Sequence, residues 1–117
     1  MEKQYKITII TVTLNAANTL HETIEAVISQ EYNVDIEYII IDGGSTDGTV
    51  DIIKSYDSRI TFWVSEPDYG LYHAMNKGIE RATGDIVGII NGDDYYYPGV
   101  MQKVADAYQE KSLDKYI

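Results

Sequence analysis

The sequence predicts an α/β fold, a three-layer α/β/α sandwich on a mostly parallel, Rossmann-like sheet. Three observations lead to it. Short β-branched runs alternate with segments of helical periodicity; the strand-like runs stop at polar or glycine-containing turns; and 117 residues with 44% hydrophobic content suffice for one compact unit. Alternation of this kind gives a parallel sheet, because each right-handed crossover helix returns the chain to start a neighbouring strand in the same direction.

The elements follow in order. Ile7 to Leu14 is rich in β-branched residues and ends at Asn15, which predicts a central, well-buried strand. Thr19-Leu20-His21-Glu22 has capping-box spacing, and Leu20, Ile24, Val27 and Ile28 then recur at helical steps to about Gln30. A second strand, Ile36 to Ile41, stops at Asp42-Gly43-Gly44-Ser45-Thr46-Asp47-Gly48, where Asp47 is placed to cap a short helix through Val50, Ile53 and Lys54. Ile60 to Val64 reads as the third strand, followed by a loop, Ser65-Glu66-Pro67-Asp68-Tyr69-Gly70, punctuated by proline and glycine.

The third helix sets Leu71, Ala74, Met75, Gly78, Ile79 and Ala82 on one face and Tyr72, His73, Asn76 and Lys77 on the other, with Gly84 as its stop. A fourth strand, Asp85 to Ile90, runs into Asn91-Gly92-Asp93-Asp94. Pro98 introduces a last helix with Val100, Met101, Val104, Ala105 and Tyr108 inward.

Composition narrows the function. With 9 Lys plus Arg against 19 Asp plus Glu, the net charge of -10 would repel a nucleic-acid backbone, and no basic stripe overrides it. No nucleic-acid partner is expected. A nucleotide remains compatible with such a chain when a divalent cation stands between carboxylates and phosphates. The absence of cysteine excludes disulfides and thiolate metal sites and fits a reducing compartment. No run approaches a membrane span and the polar start, Met1 to Lys6, is no signal peptide, so the cytoplasm, or a peripheral place at the membrane, is the expected location.

In open parallel sheets ligands bind outside the carboxyl ends of the strands. Thr13 and Asn15 close the first strand, Asp42 the second, Glu66 and Asp68 the third, and Asn91, Asp93 and Asp94 the fourth. All belong on one rim, and the opposite strand ends show nothing comparable. Asp and Asn after strands are also ordinary turn formers and caps, and Asp47 reads equally well that way. At Asp42 the two glycines already supply the turn, which leaves the carboxylate for a base or ribose. Asp93 and Asp94 repel each other unless a cation intervenes, and their hard oxygens suit Mg2+ or Mn2+ rather than zinc. Lys77 is either a phosphate contact or a solvated lysine, His73 is more simply a surface histidine than an acid or base, and Tyr95, Tyr96 and Tyr97 receive no specific role.

Taken together, these residues resemble the family 2 glycosyltransferases with a GT-A fold. Val12-Thr13-Leu14-Asn15 is similar to that family's first nucleotide-binding strand, and Asp42-Gly43-Gly44-Ser45-Thr46-Asp47-Gly48-Thr49 to its second motif. Glu66-Pro67-Asp68-Tyr69-Gly70-Leu71-Tyr72-His73-Ala74-Met75-Asn76-Lys77-Gly78, with Ala82-Thr83-Gly84-Asp85 and Asn91-Gly92-Asp93-Asp94, is the stronger signature because several spacings hold together.

The resemblance implies that residues 1–117 form a single nucleotide-sugar-binding domain, part of a GT-A domain, that transfers a sugar from a nucleotide-diphosphate donor with inversion. Val12, Thr13, Leu14, Asn15, Asp42, Ser45, Asp68, Lys77 and Asp93 would bind the nucleotide, UDP above others, and Asp93 and Asp94 the metal. The acceptor would be a saccharide or glycolipid, as in cell-surface polysaccharide synthesis. Three positions depart from the family pattern: Leu14 stands where an aromatic is frequent, His73 where aspartate is, and Asn91 where the metal motif often begins. The acidic catalytic base is expected beyond Ile117, in a second half of the family domain. A non-catalytic nucleotide-sugar- or metal-binding module is the alternative, and an exposed sheet face predicts self-association, a homo-oligomer. A dinucleotide enzyme or phosphate-loop transferase would need a glycine-rich fingerprint after the first strand or a lysine-bearing phosphate loop; neither is present, and Thr13-Leu14-Asn15-Ala16-Ala17-Asn18, with no glycine, is not expected to hold phosphates.

Overall fold

The computed structural model of the chain describes residues 5–32, 34–94 and 99–111. Four strands, β1 (Lys6–Thr13), β2 (Asp35–Asp42), β3 (Phe62–Ser65) and β4 (Ile86–Asn91), form one sheet in the order β3-β2-β1-β4. Every pairing is parallel: Thr13 faces Asp42 across β1 and β2, Asp42 faces Ser65 across β2 and β3, and Val12 faces Asn91 across β1 and β4. The run of β-branched residues in β1 makes it central and buried, as its sequence predicts.

The helices are α1 (Leu20–Ile28), α2 (Thr49–Ser55), α3 (Leu71–Arg81) and α4 (Val100–Lys111). One face of the sheet, Ile7, Ile9, Tyr38, Ile40, Ile86 and Ile90, packs with Leu20, Ile24 and Val27 of α1, Ile53 of α2 and Met101 of α4. The other face, Ile10, Val12, Ile39, Ile41 and Val87, packs with Ala74 of α3. The change of side has a topological cause. From β1 through β3 the chain steps outward in one direction, and α3 then carries it back past β1 to β4, so a right-handed crossover places α3 on the opposite face. The result is the three-layer sandwich, and its strand order reverses between β1 and β4.

Close packing of α3 depends on Gly78, where a Cβ would stand 2.4 Å from Ile10 Cγ2. At the far end of α3 the expected role of Gly84 is corrected. The helix ends at Ala82 with extended backbone, and Gly84 instead meets β1, where a Cβ would lie 2.6 Å from Thr8 Oγ1. Leu71, placed inward by periodicity, is 51% exposed, because it opens onto a cleft rather than the core. Pro98 and Tyr95–Tyr97 lie outside the described residues.

The bottom of the sheet is tied by Glu37. Its carboxylate accepts from the Thr8 hydroxyl at 2.8 Å and from the Thr83 amide and hydroxyl at 2.8 and 2.6 Å. Partial burial pushes its pKa up, but the Thr83 and Thr8 hydrogen bonds and nearby Lys6 outweigh this and hold it below the usual glutamate value.

Among the described residues, the large exposed apolar side chains are Leu14, Tyr69, Leu71 and Tyr72, which gather at the carboxyl rim rather than on the sheet face. On that face Arg81 covers Phe62, its guanidinium carbon 3.9 Å from the ring centroid. No helix of the described residues is long and apolar enough to cross a membrane.

Candidate functional site

A cleft of about 440 Å³ opens at the carboxyl ends of β1 and β4, where the strand order reverses. Its walls are Val12, Thr13, Leu14, Asn15, Ala16 and Thr19 from β1 and the turn after it, Asp68, Gly70, Leu71 and Ala74 from the β3–α3 passage, and Asn91, Gly92 and Asp93 from the end of β4. Of the residues named from sequence, Val12, Thr13, Leu14, Asn15, Asp68 and Asp93 meet there. Asp42, Ser45, Lys77 and Asp94 do not line it.

Asp42 has a different setting from the one expected. The two glycines do supply the turn, but the carboxylate is not left free: the Gly43 amide donates to the Thr13 carbonyl and the Gly44 amide to Asp42 itself. Asp42 is fully buried and accepts from the Gly44 and Ser45 amides at 3.1 and 2.8 Å, the Ser45 hydroxyl at 2.5 Å and the Ser65 hydroxyl at 2.7 Å. Gly44 meets this geometry with a φ of +94°, in the left-handed region that favours glycine. Ser45 passes the support onward, because its hydroxyl oxygen also accepts from the Asn15 amide at 2.8 Å.

Asn15 itself is left-handed, at φ +49°, and its side-chain oxygen accepts from the Thr46 amide at 2.9 Å. Asp47 completes the lacing: one carboxylate oxygen accepts from the Thr49 amide and hydroxyl, the other from the Ala17 amide at 3.1 Å. The N-cap of α2 is Gly48, so Asp47 holds the first residue of the helix from one position earlier and pins the β1 turn at once. The hydrogen bond from the Thr49 hydroxyl is the main cause of its lowered pKa. The second motif thus acts as a scaffold that shapes the β1 turn, which in turn forms the cleft wall.

The acidic turn is held from α1. Thr19 is the N-cap residue of α1, but it makes no side-chain cap bond, so the expected capping box is corrected. Its hydroxyl instead lies 3.0 Å from the Gly92 carbonyl, and the buried Thr23 hydroxyl lies 2.5 Å from the Asp94 carbonyl. Neither is legible as a site residue in the sequence, since Thr19 has the spacing of a helix cap and Thr23 that of helix packing. Asp93 and Asp94 are both exposed. Among the described residues, no three His, Cys, Asp or Glu side chains cluster as a self-sufficient metal cage.

Lys77 is not left to solvent: its ammonium pairs with Glu66 at 3.0 Å. His73 Nδ1 accepts from the Tyr69 amide at 2.9 Å and its ring stacks with that of Tyr69, which assigns it to holding the α3 entry loop. Asp68 does the same through the Gly70 amide at 3.0 Å while lining the cleft. The Thr13 hydroxyl is the one buried side-chain polar atom among the described residues without a hydrogen-bond partner. It lies in the cleft wall under Gly92, where a Cβ would come within 2.5 Å of it.

Residues 8–116 match the sequence model of Glycosyl transferase family 2. The chain belongs to this family. It is 36% identical over 106 residues to an uncharacterized glycosyltransferase of Mycobacterium tuberculosis, covering 90% of this chain and 40% of that protein. A putative teichuronic acid biosynthesis glycosyltransferase of Bacillus subtilis is 34% identical over 109 residues, 91% of this chain and 43% of the relative. The chain therefore spans 40% and 43% of the lengths of these relatives.

Among solved structures, S. aureus TarS 1-349 in complex with UDP-GlcNAc superposes with a TM-score of 0.82 at 22% identity, over 92% of this chain and 32% of that one. The mannosyltransferase PcManGT from Pyrobaculum calidifontis, in complex with GDP-Man and Mn2+, gives 0.83 at 24% identity, over 95% and 34%. The fold of this chain is the GT-A type that these transferases share.

Proposed function

We propose that the chain is the donor-binding part of an inverting, metal-dependent glycosyltransferase and takes a nucleotide-diphosphate sugar into the cleft between β1 and β4. One observation carries the reading: a cleft at the reversal of strand order joins an apolar wall, Val12, Leu14 and Ala74, to the oxygen ligands Asp68, Asn91 and Asp93 from the ends of two other strands. Solved relatives of the same fold carry UDP-GlcNAc or GDP-Man, which supports the class of ligand.

The base lies against Val12, Thr13, Leu14 and Asn15, with UDP the first candidate, and the diphosphate lies toward Asp93. Asp42 and Ser45 serve the nucleotide by holding the turn that carries Asn15. Lys77 reaches a phosphate only by leaving Glu66. The residues fit a divalent ion of the hard, oxygen-seeking kind. Asp93 and Asp94 are exposed carboxylates on one turn, and Mg2+ or Mn2+ is commonly held by one or two carboxylates with substrate phosphates and water completing its shell. The ion supplies positive charge against the departing diphosphate.

Transfer breaks the bond between the anomeric carbon and the diphosphate oxygen and forms one to an acceptor hydroxyl oxygen on the opposite face, so configuration inverts. The hydroxyl proton passes to an acidic base, which the family resemblance puts beyond Ile117. A saccharide or glycolipid is the acceptor, and the protein works in the cytoplasm, peripherally at the membrane where the acceptor is lipid-linked. Pairing of two copies through exposed apolar surface is part of the same proposal, and light scattering tests it.

Calorimetry with UDP, with and without Mn2+, tests the donor site, and a radiolabelled transfer assay tests catalysis. Manganese-dependent UDP binding is the expected result. Binding without transfer or donor hydrolysis by this chain fits both a donor-binding part and a non-catalytic module, and transfer once the chain is joined to the half that carries the base separates them; no UDP binding in either condition refutes the donor site.

A further inference from the structure

Thr23 is 1% exposed, and its hydroxyl serves a turn 69 to 71 positions away in sequence rather than its own helix. It lies 2.5 Å from the Asp94 carbonyl and 3.1 Å from the Gly92 carbonyl, while its approach to the Thr19 carbonyl of α1 is 3.5 Å. One turn earlier on the same helix face, the Thr19 hydroxyl reaches the Gly92 carbonyl at 3.0 Å. Each hydroxyl has one proton. Thr19 supplies the Gly92 carbonyl and Thr23 the Asp94 carbonyl, so the two acceptors that bracket Asp93 are each held from α1.

The amides of the turn are fixed as well: Gly92 donates to the Val12 carbonyl and Asp94 to the Asn91 carbonyl, both at 3.0 Å. Asp93, which lines the cleft, is thus carried on backbone anchored on both sides. That fixes the direction in which the Asp93 side chain leaves the backbone, and groups that orient metal ligands typically matter by ten- to a hundred-fold in metal affinity.

The geometry points to Thr19 and Thr23 as positioning residues of the acidic turn, which set the direction in which Asp93 meets a divalent cation and a diphosphate. This rests on the donor-site reading above. Thr19 lines the cleft and Thr23 does not, and the hydroxyls of both act through the carbonyls of residues 92 and 94.

The test compares wild type with Thr23→Val, Thr23→Ser and Thr19→Val. The measurements are UDP calorimetry with and without Mn2+ and amide hydrogen exchange of residues 92–94 in metal-free protein. In Thr23→Val, exchange at Gly92 and Asp94, whose amides are hydrogen-bonded, accelerates while β1 and β2 keep their protection, and the manganese-dependent gain in UDP affinity falls roughly ten-fold. UDP affinity without metal is unchanged, and Thr23→Ser, which restores the hydroxyl, restores both readouts. Unchanged exchange and an unchanged manganese effect in folded Thr23→Val overturn the proposal while leaving the donor site standing. Wild type that binds UDP with no manganese effect overturns the proposal together with the metal part of that reading. Should Thr23→Val not fold, Thr19→Val, at a half-buried position, decides by the same exchange and manganese readouts.

Discussion

Gly92 sits so close over Thr13 that a Cβ at residue 92 would stand 2.5 Å from the Thr13 hydroxyl and 2.9 Å from its Cβ. Neither atom is the loose end of a flexible side chain, because Thr13 is held in β1 and paired with Asp42 in β2. Gly92→Ala is therefore expected to push the acidic turn off β1, costing about 1–3 kcal/mol and weakening UDP binding. Denaturant unfolding and calorimetry check the two effects. Thr13→Ala in the same chain recovers part of the stability loss, since the hydroxyl is gone while Cβ remains, and additive losses in the double variant would contradict the contact.

Thr13 gives a prediction of opposite sign for stability. Its hydroxyl is buried without a partner, so it has lost water without gaining a hydrogen bond. Thr13→Val is expected to raise stability by about 1 kcal/mol. If the nucleotide uses that hydroxyl, UDP affinity falls in the same variant. A stabler protein with weaker binding is the expected pair of results, from thermal unfolding and calorimetry.

Much of this architecture is legible in the sequence because the physics is local. The β-branched run of β1, the helical spacing of Ala74, Met75 and Gly78, and the polar residues that end each strand declare themselves within a few positions. The parallel sheet and its rim follow from those signals. What stays hidden is long-range and polar. Nothing near Asp42 in sequence announces that Ser65 will donate to it, and nothing near Thr23 announces the carbonyls of Gly92 and Asp94. Gly84 illustrates the same limit: its position after a helix suggests a stop, whereas its cause is the approach of Thr8, 76 residues away.

The Asp42 network separates contact from support. Asp42→Asn keeps size but turns an acceptor oxygen into a donor facing hydroxyl and amide donors, which costs about 2–3 kcal/mol. The Asn15 turn loosens with it, so both the unfolding midpoint and UDP affinity are expected to fall. A folded variant of unchanged stability that has lost only UDP binding would instead make Asp42 a direct ligand contact.

Glu37 makes stability depend on pH. Its folded pKa lies below the ordinary glutamate value of 4.5, so the unfolded chain binds the proton more readily than the folded one. The contribution is present above 4.5 and is lost as pH falls through the lower folded value. Glu37→Gln removes this charge-dependent part: chemical denaturation at pH 7 shows a less stable variant, and the gap to wild type narrows as pH is lowered below 4.5. A gap that stays constant across the acid range would show that Glu37 acts by packing alone.

The acidic turn carries two carboxylates of unequal placement, since Asp93 lines the cleft and Asp94 does not. Asp93→Asn removes charge where the diphosphate is proposed to lie, so it is expected to abolish the manganese-dependent part of UDP binding, a loss of roughly ten-fold or more. Metal-free UDP binding should hold or improve, because one negative charge near the phosphates is gone. Asp94→Asn is expected to weaken the manganese effect less, since its carboxylate approaches from outside the cleft wall. Both side chains are exposed, so neither substitution should change the stability by more than about 0.5 kcal/mol, and calorimetry then reads binding alone. Equal losses from the two would mean that the cation sits between them at the mouth of the turn, and indifference to both would remove the metal from this turn altogether.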